Sequence, residues 1–315
     1  MIVREVVPEA LAGERVDRIV AMVTGASRSE VASLIEAGAV SVDGQVASSR
    51  SARLGAGEAI EVDVPDAAVA QRLVPEPDIV VPIVHADDHL LVIDKPAGLV
   101  VHPGAGQRTG TLVHGLLARH PELLGVGVDP IRPGVVHRLD KGTSGLLLVA
   151  RTQVAYEALV AALAAREVHR RYRALAWGTF DAPRGLIDAP IGRSTREPTR
   201  QAVDERGKEA RTRYEVRQAF VEPVAVTELA CTLETGRTHQ IRVHLRSIGH
   251  PVVGDARYEG ARQSLPMARP FLHAELLELA HPVTGQPLAF ESELPADLAS
   301  VLERLTPARP DAPMP

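Results

Sequence analysis

The chain has 315 residues, of which 45% are hydrophobic, 24% charged and 3% aromatic. This length and composition predict a soluble globular protein of about two domains with a largely aliphatic core. A single cysteine, Cys231, excludes an intrachain disulfide and a cysteine-rich zinc site. No stretch approaches the roughly 18 apolar residues of a membrane span, and no secretory leader is recognisable, so we expect a cytoplasmic protein.

The distribution of charge says more about partners than its sum. The formal net charge at pH 7 is −5, which by itself argues against nucleic acid, because neutralising phosphates requires lysine and arginine. The arginines, however, are concentrated in three segments, at residues 166–173, 193–200 and 237–246. The sequence is therefore compatible with a basic face on an acidic protein.

The first predicted unit combines two helices with a small hairpin. Apolar residues at helical spacing predict a helix over residues 16–23, and a second helix starts near Ser27 or Ser29. Residues 43–44, Asp-Gly, have the composition of a hairpin turn. Residues 55–64 then alternate as a closing strand.

This unit resembles the S4 RNA-binding domain. The resemblance rests on four short strings: Arg-Val-Asp-Arg at residues 15–18, Ser-Arg-Ser at 27–29, the stretch 38–44 and Gly-Glu at 57–58. It implies that the unit binds RNA. We expect Arg15, Arg18 and Arg28 to supply affinity and orientation there rather than chemistry.

Composition also predicts the remaining boundaries. Residues 67–82 contain prolines, acids and alanines without a sustained period, which predicts an interdomain linker and a hinge. The Pro-rich run 306–315 is predicted to be a disordered tail. We therefore expect an S4-like domain over residues 1–66 and a catalytic domain over residues 83–305.

A central segment contains the candidate catalytic group. Between residues 134 and 150 an apolar run enters a polar loop and a second apolar run leaves it, which predicts two buried strands joined by a tight connection. Asp140 lies at a strand end between Arg138 and Lys141, and these cations favour its ionised form. It is then available as a nucleophile or base. The structural alternative is a turn aspartate that pairs with its basic neighbours.

Resemblance decides between these alternatives. His-Arg-Leu-Asp at residues 137–140 and Gly-Thr-Ser-Gly at 142–145 resemble the catalytic motif of the large-ribosomal-subunit pseudouridine synthases. Residues 83–104 predict two apolar strands joined by a turn at residues 94–98. Lys-Pro-Ala-Gly at 95–98 and His-Pro-Gly at 102–104 resemble the first motif of that family, a strand pair beside the catalytic loop. The resemblance implies that Asp140 is the catalytic carboxylate, and we assign His137 and Arg138 to substrate binding.

A predicted strand later in the chain contains the aromatic residue of the candidate site, Tyr172. Thr152 suits the N-cap of a helix, after which residues 168–178 alternate as a strand. In the family, a tyrosine at the place of Tyr172 lies against the target base. Tyr172 would stack on the base and assist removal of the C5 proton.

The last predicted site element is a helix within residues 235–251. Thr238 suits its N-cap, and the string resembles the family's third motif. The family arginine at the place of Arg242 pairs with the catalytic aspartate, which makes Arg242 the third catalytic residue. We assign Arg237 and His239, in the same string, to substrate binding.

Other chemistries lack their motifs. No His-Glu-x-x-His string or cysteine pair indicates a metal site, and no complete dinucleotide fingerprint or phosphate loop occurs. We therefore expect no metal and no cofactor. Two classes of function stay open: an RNA uridine isomerase, or a non-catalytic RNA-binding protein with an S4 domain. The joint presence of Asp140, Tyr172 and Arg242 favours the enzyme.

The predicted fold class is α+β. A small S4 domain of two helices and a short hairpin is followed by a catalytic domain with a mixed, largely antiparallel sheet and flanking helices. The resemblance implies an enzyme that converts uridine in structured RNA to its C-glycosidic isomer, and we expect it to be a monomer. Large-subunit ribosomal RNA is the implied substrate, and tRNA stays open. For Asp140 three roles stay open: attack on the sugar C1′, addition to the base C6, or removal of a sugar proton.

Overall fold

The computed structural model describes residues 2–24, 26, 28–64, 73–104 and 106–308, with the backbone alone at residues 10 and 28–30. The chain divides into two compact units, Met1–Leu73 and Val74–Pro315. Some predictions fall outside the described residues: the helix start at Ser27, the linker at 67–72 and the tail at 309–315.

The first unit packs two helices against an antiparallel sheet. In chain order its described elements are β1 (Ile2–Val6), a 3₁₀ turn (Glu9–Leu11), α1 (Val16–Thr24), α2 (Arg28–Glu36), β2 (Val40–Val42), β3 (Gln45–Val46) and β4 (Ala59–Asp63). The strand order is β1-β4-β2-β3. The two helices, the hairpin and the closing strand are confirmed, and β1 is an addition that the sequence pattern did not predict.

Apolar spacing explains this unit. The inward faces of the helices and strands form one cluster that includes Val16, Ile19, Val20, Val31, Leu34, Val40, Ile60 and Val62. In the hairpin turn, Asp43 and Gly44 both have positive φ, 49° and 78°, as a two-residue turn between twisted strands requires. The Asp43 carboxylate also accepts the Ala59 N–H (2.9 Å), which ties the turn to β4.

The second unit is built on one large sheet with helices beside it. Its first described elements are β5 (Ile83–Ala86), β6 (Leu90–Lys95), α3 (Leu112–Arg119), a 3₁₀ turn (Pro121–Leu123), β7 (Ser144–Ala150), α4 (Gln153–Ala164), β8 (His169–Trp177), β9 (Arg184–Asp188), β10 (Ile191–Arg193) and β11 (Gln201–Val203). They are followed by β12 (Arg211–Glu222), β13 (Val226–Leu233), α5 (Gln240–Ser247), β14 (Leu272–Ala280), β15 (Pro287–Glu291), α6 (Ala296–Leu302) and β16 (Thr306–Pro307).

The order of strands places the predicted site elements side by side. The main path of the sheet is β16-β12-β13-β8-β14-β7-β6-β5, with β9 paired to β12 and β15 paired to β14. The β14–β7 pair is parallel, whereas the other pairs along this path are antiparallel. The predicted mixed, largely antiparallel sheet is confirmed. The strands β13, β8, β14 and β7 are consecutive neighbours, and the loops next to them carry the candidate site.

Aliphatic side chains fill the core of this unit, as the composition predicted. One cluster packs α4 against β6 and β7 through residues such as Leu90, Leu146, Leu148 and Leu159. A second packs α6 against β8 and β14 around Leu175, Trp177, Phe271, Leu298 and Val301. At roughly 25 cal/mol per Å² of buried apolar surface, clusters of this kind stabilise the sheet that positions the site.

The run before Asp140 is not the predicted strand. Its contact with β7 is an isolated bridge from Val135 to Val149, and the Leu148 N–H is taken by the imidazole Nε2 of His137 (3.0 Å) instead of by a backbone carbonyl. A side chain has therefore replaced a strand partner. The segment stays irregular although its residues are apolar.

The first motif is also arranged differently from the prediction. Its two strands, β5 and β6, are joined by a turn in which the Asp87 carboxylate accepts the N–H groups of His89 and Leu90 (2.7 and 2.9 Å). The predicted turn at residues 94–98 exists, but the described chain after it, up to α3, forms isolated bridges, such as Val100 to Thr111, and no strand. Proline at position 96 has no N–H to donate, so the chain leaves the sheet there.

Two predicted flexible segments are partly anchored. Residues 76–79 of the expected linker pack on α3, because Arg119 donates to the Ile79 carbonyl oxygen (2.9 Å) and Glu76 accepts the Gly110 N–H (2.9 Å). At the other end, Thr306–Pro307 forms β16 and pairs with β12. Both predictions relied on proline content, which does not register backbone hydrogen bonds to distant elements.

Candidate active site

The loop that carries Asp140 is fixed by backbone hydrogen bonds. The Thr143 N–H donates to the Asp140 carbonyl oxygen (3.0 Å), which closes a tight turn after the carboxylate. The Gly98 N–H donates to the Lys141 carbonyl oxygen (2.7 Å), so the turn after β6 supports the loop from one side. Asp140 itself is mostly buried, with 15% of its side chain exposed.

Two glycines fix the ends of this segment. Gly134 and Gly145 have φ of +71° and +108°, a conformation that residues with a β-carbon rarely adopt. A β-carbon at Gly134 would collide with the carbonyl oxygen of Ala150, and one at Gly145 with that of Ala274. The chain on both sides of Asp140 therefore approaches neighbouring backbone too closely for any side chain.

A buried lysine supports the same turn. Lys95 is fully buried, and its ammonium donates to the carbonyl oxygens of Pro96 and Leu99 (2.8 and 2.9 Å). Burial lowers the pKa of Lys95 to about 7, although the negative charge of Asp140 opposes this shift. Lys95 thus holds the turn whose Gly98 supports the Asp140 loop.

Arg242 is fixed between two carboxylates. Its Nε and Nη2 donate to both oxygens of Asp255 (2.6 and 2.9 Å), and its Nη1 donates to Oδ2 of Asp140 (2.9 Å). The guanidinium also lies over the ring of Tyr258, 5.0 Å from its centroid. Because a bidentate pair fixes the orientation of a guanidinium, Asp255 leaves Arg242 one donor aimed at Asp140.

The charges of this trio reinforce one another. Burial alone would lower the pKa of Arg242, but the hydrogen bonds and negative charges of Asp255 and Asp140 outweigh it and raise that pKa above its usual value. Arg242 is therefore a permanent cation. The other oxygen of Asp140, Oδ1, accepts no hydrogen bond from the described residues, and Asp140 lines a cleft.

Tyr172 occupies the middle of β8, where it pairs with Ala274 of β14 and Cys231 of β13. The residue is 5% exposed and lines the same cleft as Asp140. Burial raises the pKa of Tyr172 to about 12. At neutral pH its hydroxyl is therefore protonated and can donate a hydrogen bond.

The start of α5 differs from the prediction. The N-cap is His239, with a left-handed backbone (φ 58°), and not Thr238. The side chain of Gln240 accepts the Arg237 N–H (3.0 Å) and the hydroxyl of Thr235 (2.7 Å), so it satisfies the loop before the helix. This role of the Gln240 side chain cannot be deduced from N-cap preferences alone.

His239 faces the carboxylate of Asp140. Its Nδ1 shares a hydrogen bond with the Tyr258 hydroxyl (2.7 Å), and its Nε2 lies 3.8 Å from Oδ1 of Asp140. Burial lowers the pKa of His239, partly against the attraction of Asp140. A neutral imidazole is therefore favoured beside Asp140 at pH 7.

A single cleft of about 570 Å³ brings the predicted residues of the second unit together. Its lining includes all seven of them: His137, Arg138, Asp140, Tyr172, Arg237, His239 and Arg242. Arg138 and Arg237 are exposed, and the Arg237 Nε donates to the carbonyl oxygen of Glu209 (2.9 Å). Burial lowers the pKa of His137 to about 3, so its ring is neutral.

The predicted RNA contacts of the first unit are on its surface. Arg15 donates two hydrogen bonds to Asp17 (3.0 and 2.6 Å), and Arg18 pairs with Glu14 (2.9 Å). Their side chains are 49% and 62% exposed. Exposed ion pairs of this kind are weak, so both arginines are able to exchange their carboxylates for phosphates. The side chain of Arg28 lies outside the description.

Sequence reasoning missed two residues of the site. Asp255 fixes Arg242, and its position in the string Gly-Asp-Ala-Arg-Tyr at residues 254–258 was the available signal. Arg170 lines the cleft beside Tyr172, two positions along β8. Its signal was strand alternation, which places residues 170 and 172 on one face.

Neither a metal centre nor a membrane segment is visible in what the structure describes. Within the described residues, no group of three or more histidine, cysteine, aspartate or glutamate side chains is arranged to hold a metal ion. Among the helices described, none has the length and apolar character needed to cross a membrane.

Comparison with known proteins assigns a family to each unit. The family model described as RNA pseudouridylate synthase matches residues 89–247, and the model of the S4 domain matches residues 14–60. The first match includes Asp140, Tyr172 and Arg242, and the second includes both helices, the β2–β3 hairpin and the start of β4 of the first unit.

Curated relatives match nearly the whole chain. The protein named ribosomal large subunit pseudouridine synthase D of Xanthomonas campestris is 44% identical over 314 residues, which cover 95% of this chain and 91% of the relative. The protein of the same name in Pseudomonas aeruginosa is 43% identical, with 95% and 94% covered. An uncharacterized RNA pseudouridine synthase of Bacillus subtilis is 40% identical, with 93% and 94% covered.

Solved structures agree with these matches. The human RNA pseudouridylate synthase domain containing 1 is 28% identical with a TM-score of 0.58, covering 74% of this chain and 91% of that one. The human protein named RNA pseudouridylate synthase domain containing 4 is 25% identical with a TM-score of 0.54, and the match covers 73% of this chain and 95% of that one. On the family model and the curated relatives together, the chain belongs to the RNA pseudouridylate synthase family and is an RNA pseudouridine synthase with an N-terminal S4 domain.

Proposed function

We propose that the enzyme isomerises uridines in large-subunit ribosomal RNA and that Asp140 is the carboxylate that acts at the glycosidic bond. The names of the relatives from Xanthomonas campestris and Pseudomonas aeruginosa support this substrate. One observation supports the role of Asp140 above all. Arg242, fixed by Asp255, holds Oδ2 of Asp140 and leaves Oδ1 without a hydrogen bond from the described residues.

The reaction needs a carboxylate and a base-sized pocket. The N1–C1′ bond breaks and a C5–C1′ bond forms, while C5 loses a proton and N1 gains one, so no redox change occurs. The base must leave its stack to reach the protein. The cleft, at about 570 Å³, lies within the range of roughly 300–1,000 Å³ that small-ligand pockets occupy.

Asp140 is suited to any of the three roles that the sequence leaves open. Attack on C1′, addition to C6 and removal of a sugar proton each use one unencumbered carboxylate oxygen, which Oδ1 provides. Arg242 keeps the other oxygen in place during the reaction and balances its charge. His239, held by Tyr258, lies on the Oδ1 side as a neutral donor or acceptor.

Tyr172 is proposed to stack on the extruded base and to take part in proton transfer at C5. We expect Tyr172→Phe to reduce single-turnover isomerisation by about 10²–10⁴-fold, the usual contribution of a general acid or base. RNA affinity and melting temperature should change little, because the ring and its packing remain. Rates with 5-tritiated uridine RNA, beside melting curves, measure this.

Tyr156 on α4 provides the matched control. It is partly buried and outside the cleft, and its hydroxyl makes no hydrogen bond with the described residues. Tyr156→Phe should therefore retain the wild-type rate. A Tyr172→Phe protein as fast as this control would remove the hydroxyl from the mechanism and leave only stacking.

The first unit is proposed to supply affinity for RNA while the second performs the chemistry. We expect removal of residues 1–72 to weaken RNA binding and to make it less steeply dependent on salt, because basic residues such as Arg15 and Arg18 are lost. A small stem-loop substrate should still be converted at high concentration. The shortened protein must retain the residues from 74 onwards. Glu76 accepts the Gly110 N–H just before α3, and the Ile79 carbonyl oxygen accepts a hydrogen bond from Arg119 at the end of α3.

Binding titrations at several salt concentrations and single-turnover rates test this division. The full chain with Arg15→Met and Arg18→Met serves as the matched variant and should reproduce part of the loss in affinity. A truncated protein that melts cooperatively but converts no substrate at any concentration would refute the separate roles.

The substrate itself is tested by mapping pseudouridines in cells that lack the enzyme. We expect specific positions of large-subunit ribosomal RNA to remain uridine, and the purified enzyme to restore them in unmodified transcripts. Loss of pseudouridine from tRNA with an unchanged ribosomal pattern would establish the alternative substrate. The monomeric state and the cytoplasmic location stay predictions.

A further inference from the structure

Unsatisfied polar atoms single out one wall of the cleft. Within the part of the chain the structure describes, two buried side-chain nitrogens lack a hydrogen-bond partner, Nδ1 of His137 and Nε of Arg170. Buried polar groups are nearly always paired, and an unpaired one costs roughly 1–3 kcal/mol. Both residues line the cleft that contains Asp140. These two unpaired nitrogens therefore lie where the RNA is proposed to bind.

The protonation of His137 is set by its contact with β7. Its Nε2 accepts the Leu148 N–H (3.0 Å), so in the neutral ring the proton is on Nδ1. The nearby positive charge of Arg170 and the protein around the ring keep His137 neutral. His137 is thus an unused donor and not an acceptor or anion that could neutralise Arg170.

Arg170 is a buried cation without a counter-ion. It is 7% exposed, and no carboxylate or hydrogen-bond acceptor of the described residues contacts its guanidinium. Its neighbours along β8 differ, since Arg171 pairs with Glu275 and Arg173 with Glu228. Arg242, the other buried arginine of the cleft, is held by two carboxylates. An unpaired buried charge is strongly unfavourable, so Arg170 requires an anion from outside the chain.

The position of Arg170 shows that an external anion would reach it through the cleft. Strand alternation places it on the face of β8 that also carries Tyr172. Its Nη1 lies against the loop before α5, because a β-carbon at Gly236 would be only 3.0 Å away. The glycine leaves room for the guanidinium of Arg170, which lines the cleft while its Nε is buried.

We propose that Arg170 is the ligand of a backbone phosphate of the target nucleotide, bound through its terminal nitrogens beside the base that Tyr172 stacks on. This inference rests on the proposed function, which supplies an RNA in the cleft. A phosphodiester carries a permanent negative charge, and its oxygens match the planar fork of arginine donors. A uracil carbonyl is neutral before the glycosidic bond breaks and would leave the buried cation uncompensated in the bound state.

The test measures RNA affinity against salt for variants of Arg170. The probe is a transcribed fragment of large-subunit ribosomal RNA that contains a uridine converted by the wild-type enzyme. Arg170→Met keeps most of the side-chain volume and removes the charge. We expect it to weaken binding about tenfold or more and to lower the slope of log affinity against log salt by about one. Arg170→Lys should restore the slope but only part of the affinity, because lysine lacks the fork.

Two further variants keep the result interpretable. Arg304→Met removes an exposed arginine just after α6 that lies outside the cleft lining and donates to the Ser300 carbonyl oxygen, and it should leave affinity and slope near wild type. Arg170→Gln removes the charge but keeps a polar side chain, and it should lower affinity and slope even if Arg170→Met does not fold. Melting curves establish which variants are folded.

The outcomes separate this inference from the proposed function. A wild-type enzyme that converts the probe, with an unchanged salt slope in Arg170→Met, would overturn the phosphate assignment alone, and a lowered affinity at that unchanged slope would indicate a base carbonyl instead. If Arg170→Met does not fold, wild-type affinity and salt slope in Arg170→Gln overturn the assignment. A wild-type enzyme that converts no uridine in ribosomal RNA overturns the proposed substrate and this inference with it.

Discussion

We expect replacement of Asp140 with asparagine to abolish isomerisation while the protein keeps its fold and its affinity for RNA. The substitution removes the carboxylate charge but little volume. Arg242 does not become an unpaired buried cation, since Asp255 still holds it by two hydrogen bonds (2.6 and 2.9 Å). The structure therefore separates the loss of chemistry from any loss of stability at this position.

Tritium release from 5-tritiated uridine RNA measures the activity, and a filter-binding titration measures the affinity. Asp188→Asn is the control, because Asp188 forms an exposed ion pair with Arg211 (2.9 Å) and such pairs contribute about 0–1 kcal/mol. It should retain full activity. Appreciable tritium release by the Asp140→Asn protein would exclude Asp140 as the acting carboxylate.

Replacing Arg242 with alanine should cost both activity and stability. The change leaves Asp255, which is 1% exposed on its side chain, as a buried carboxylate without a cation. Breaking a buried pair in this way typically costs about 3–5 kcal/mol. Asp140 also loses the only hydrogen bond that a described side chain donates to its Oδ2, so its orientation toward the substrate is no longer fixed.

A double variant distinguishes the two losses. The double variant Arg242→Met with Asp255→Asn removes both charges of the buried pair, so no carboxylate is left without a cation. Its free energy of unfolding should therefore be closer to wild type than that of Arg242→Ala. Single-turnover activity should remain low, since nothing replaces the Nη1 donor to Asp140. Denaturant unfolding and tritium release on the same preparations measure both quantities. Wild-type turnover in Arg242→Ala would place that arginine outside the mechanism.

Local patterns in the sequence were sufficient for much of the fold. Helical spacing predicted α1, α2 and α4, and the cap at Thr152 is confirmed by its bond from the Ala155 N–H (3.3 Å). Alternation predicted β8. These predictions were correct because one face of a helix or strand is buried, so apolar residues recur with the period of that element. The S4 unit was predictable for the same reason.

The failures share a different cause. His137 replaces a strand partner through its imidazole, Gln240 donates to the Arg211 carbonyl oxygen, and Glu76 anchors part of the expected linker on α3. Each is a side chain that satisfies backbone groups far away in sequence. No periodicity or propensity encodes such contacts, because they depend on which elements become neighbours.

The candidate site was predictable only through resemblance. Spacing alone did not separate Asp140 from an ordinary turn aspartate, and nothing local indicated that Arg242 would meet it from a helix 102 residues away. Asp255 and Arg170 were missed because their importance lies in burial and pairing. An arginine in a basic run appears solvated in the sequence, whereas Arg170 is buried without a carboxylate.

The two glycines that bracket the Asp140 segment limit how this enzyme could be redesigned. Because Gly134 and Gly145 tolerate no β-carbon, insertions or altered anchoring of the segment between them would displace the carboxylate together with the backbone. Attempts to redirect the enzyme to other uridines should instead vary the exposed rim of the cleft, where Arg138 and Arg237 lie. A library confined to that rim would retain the chemistry, and its variants would differ only in the RNA they accept.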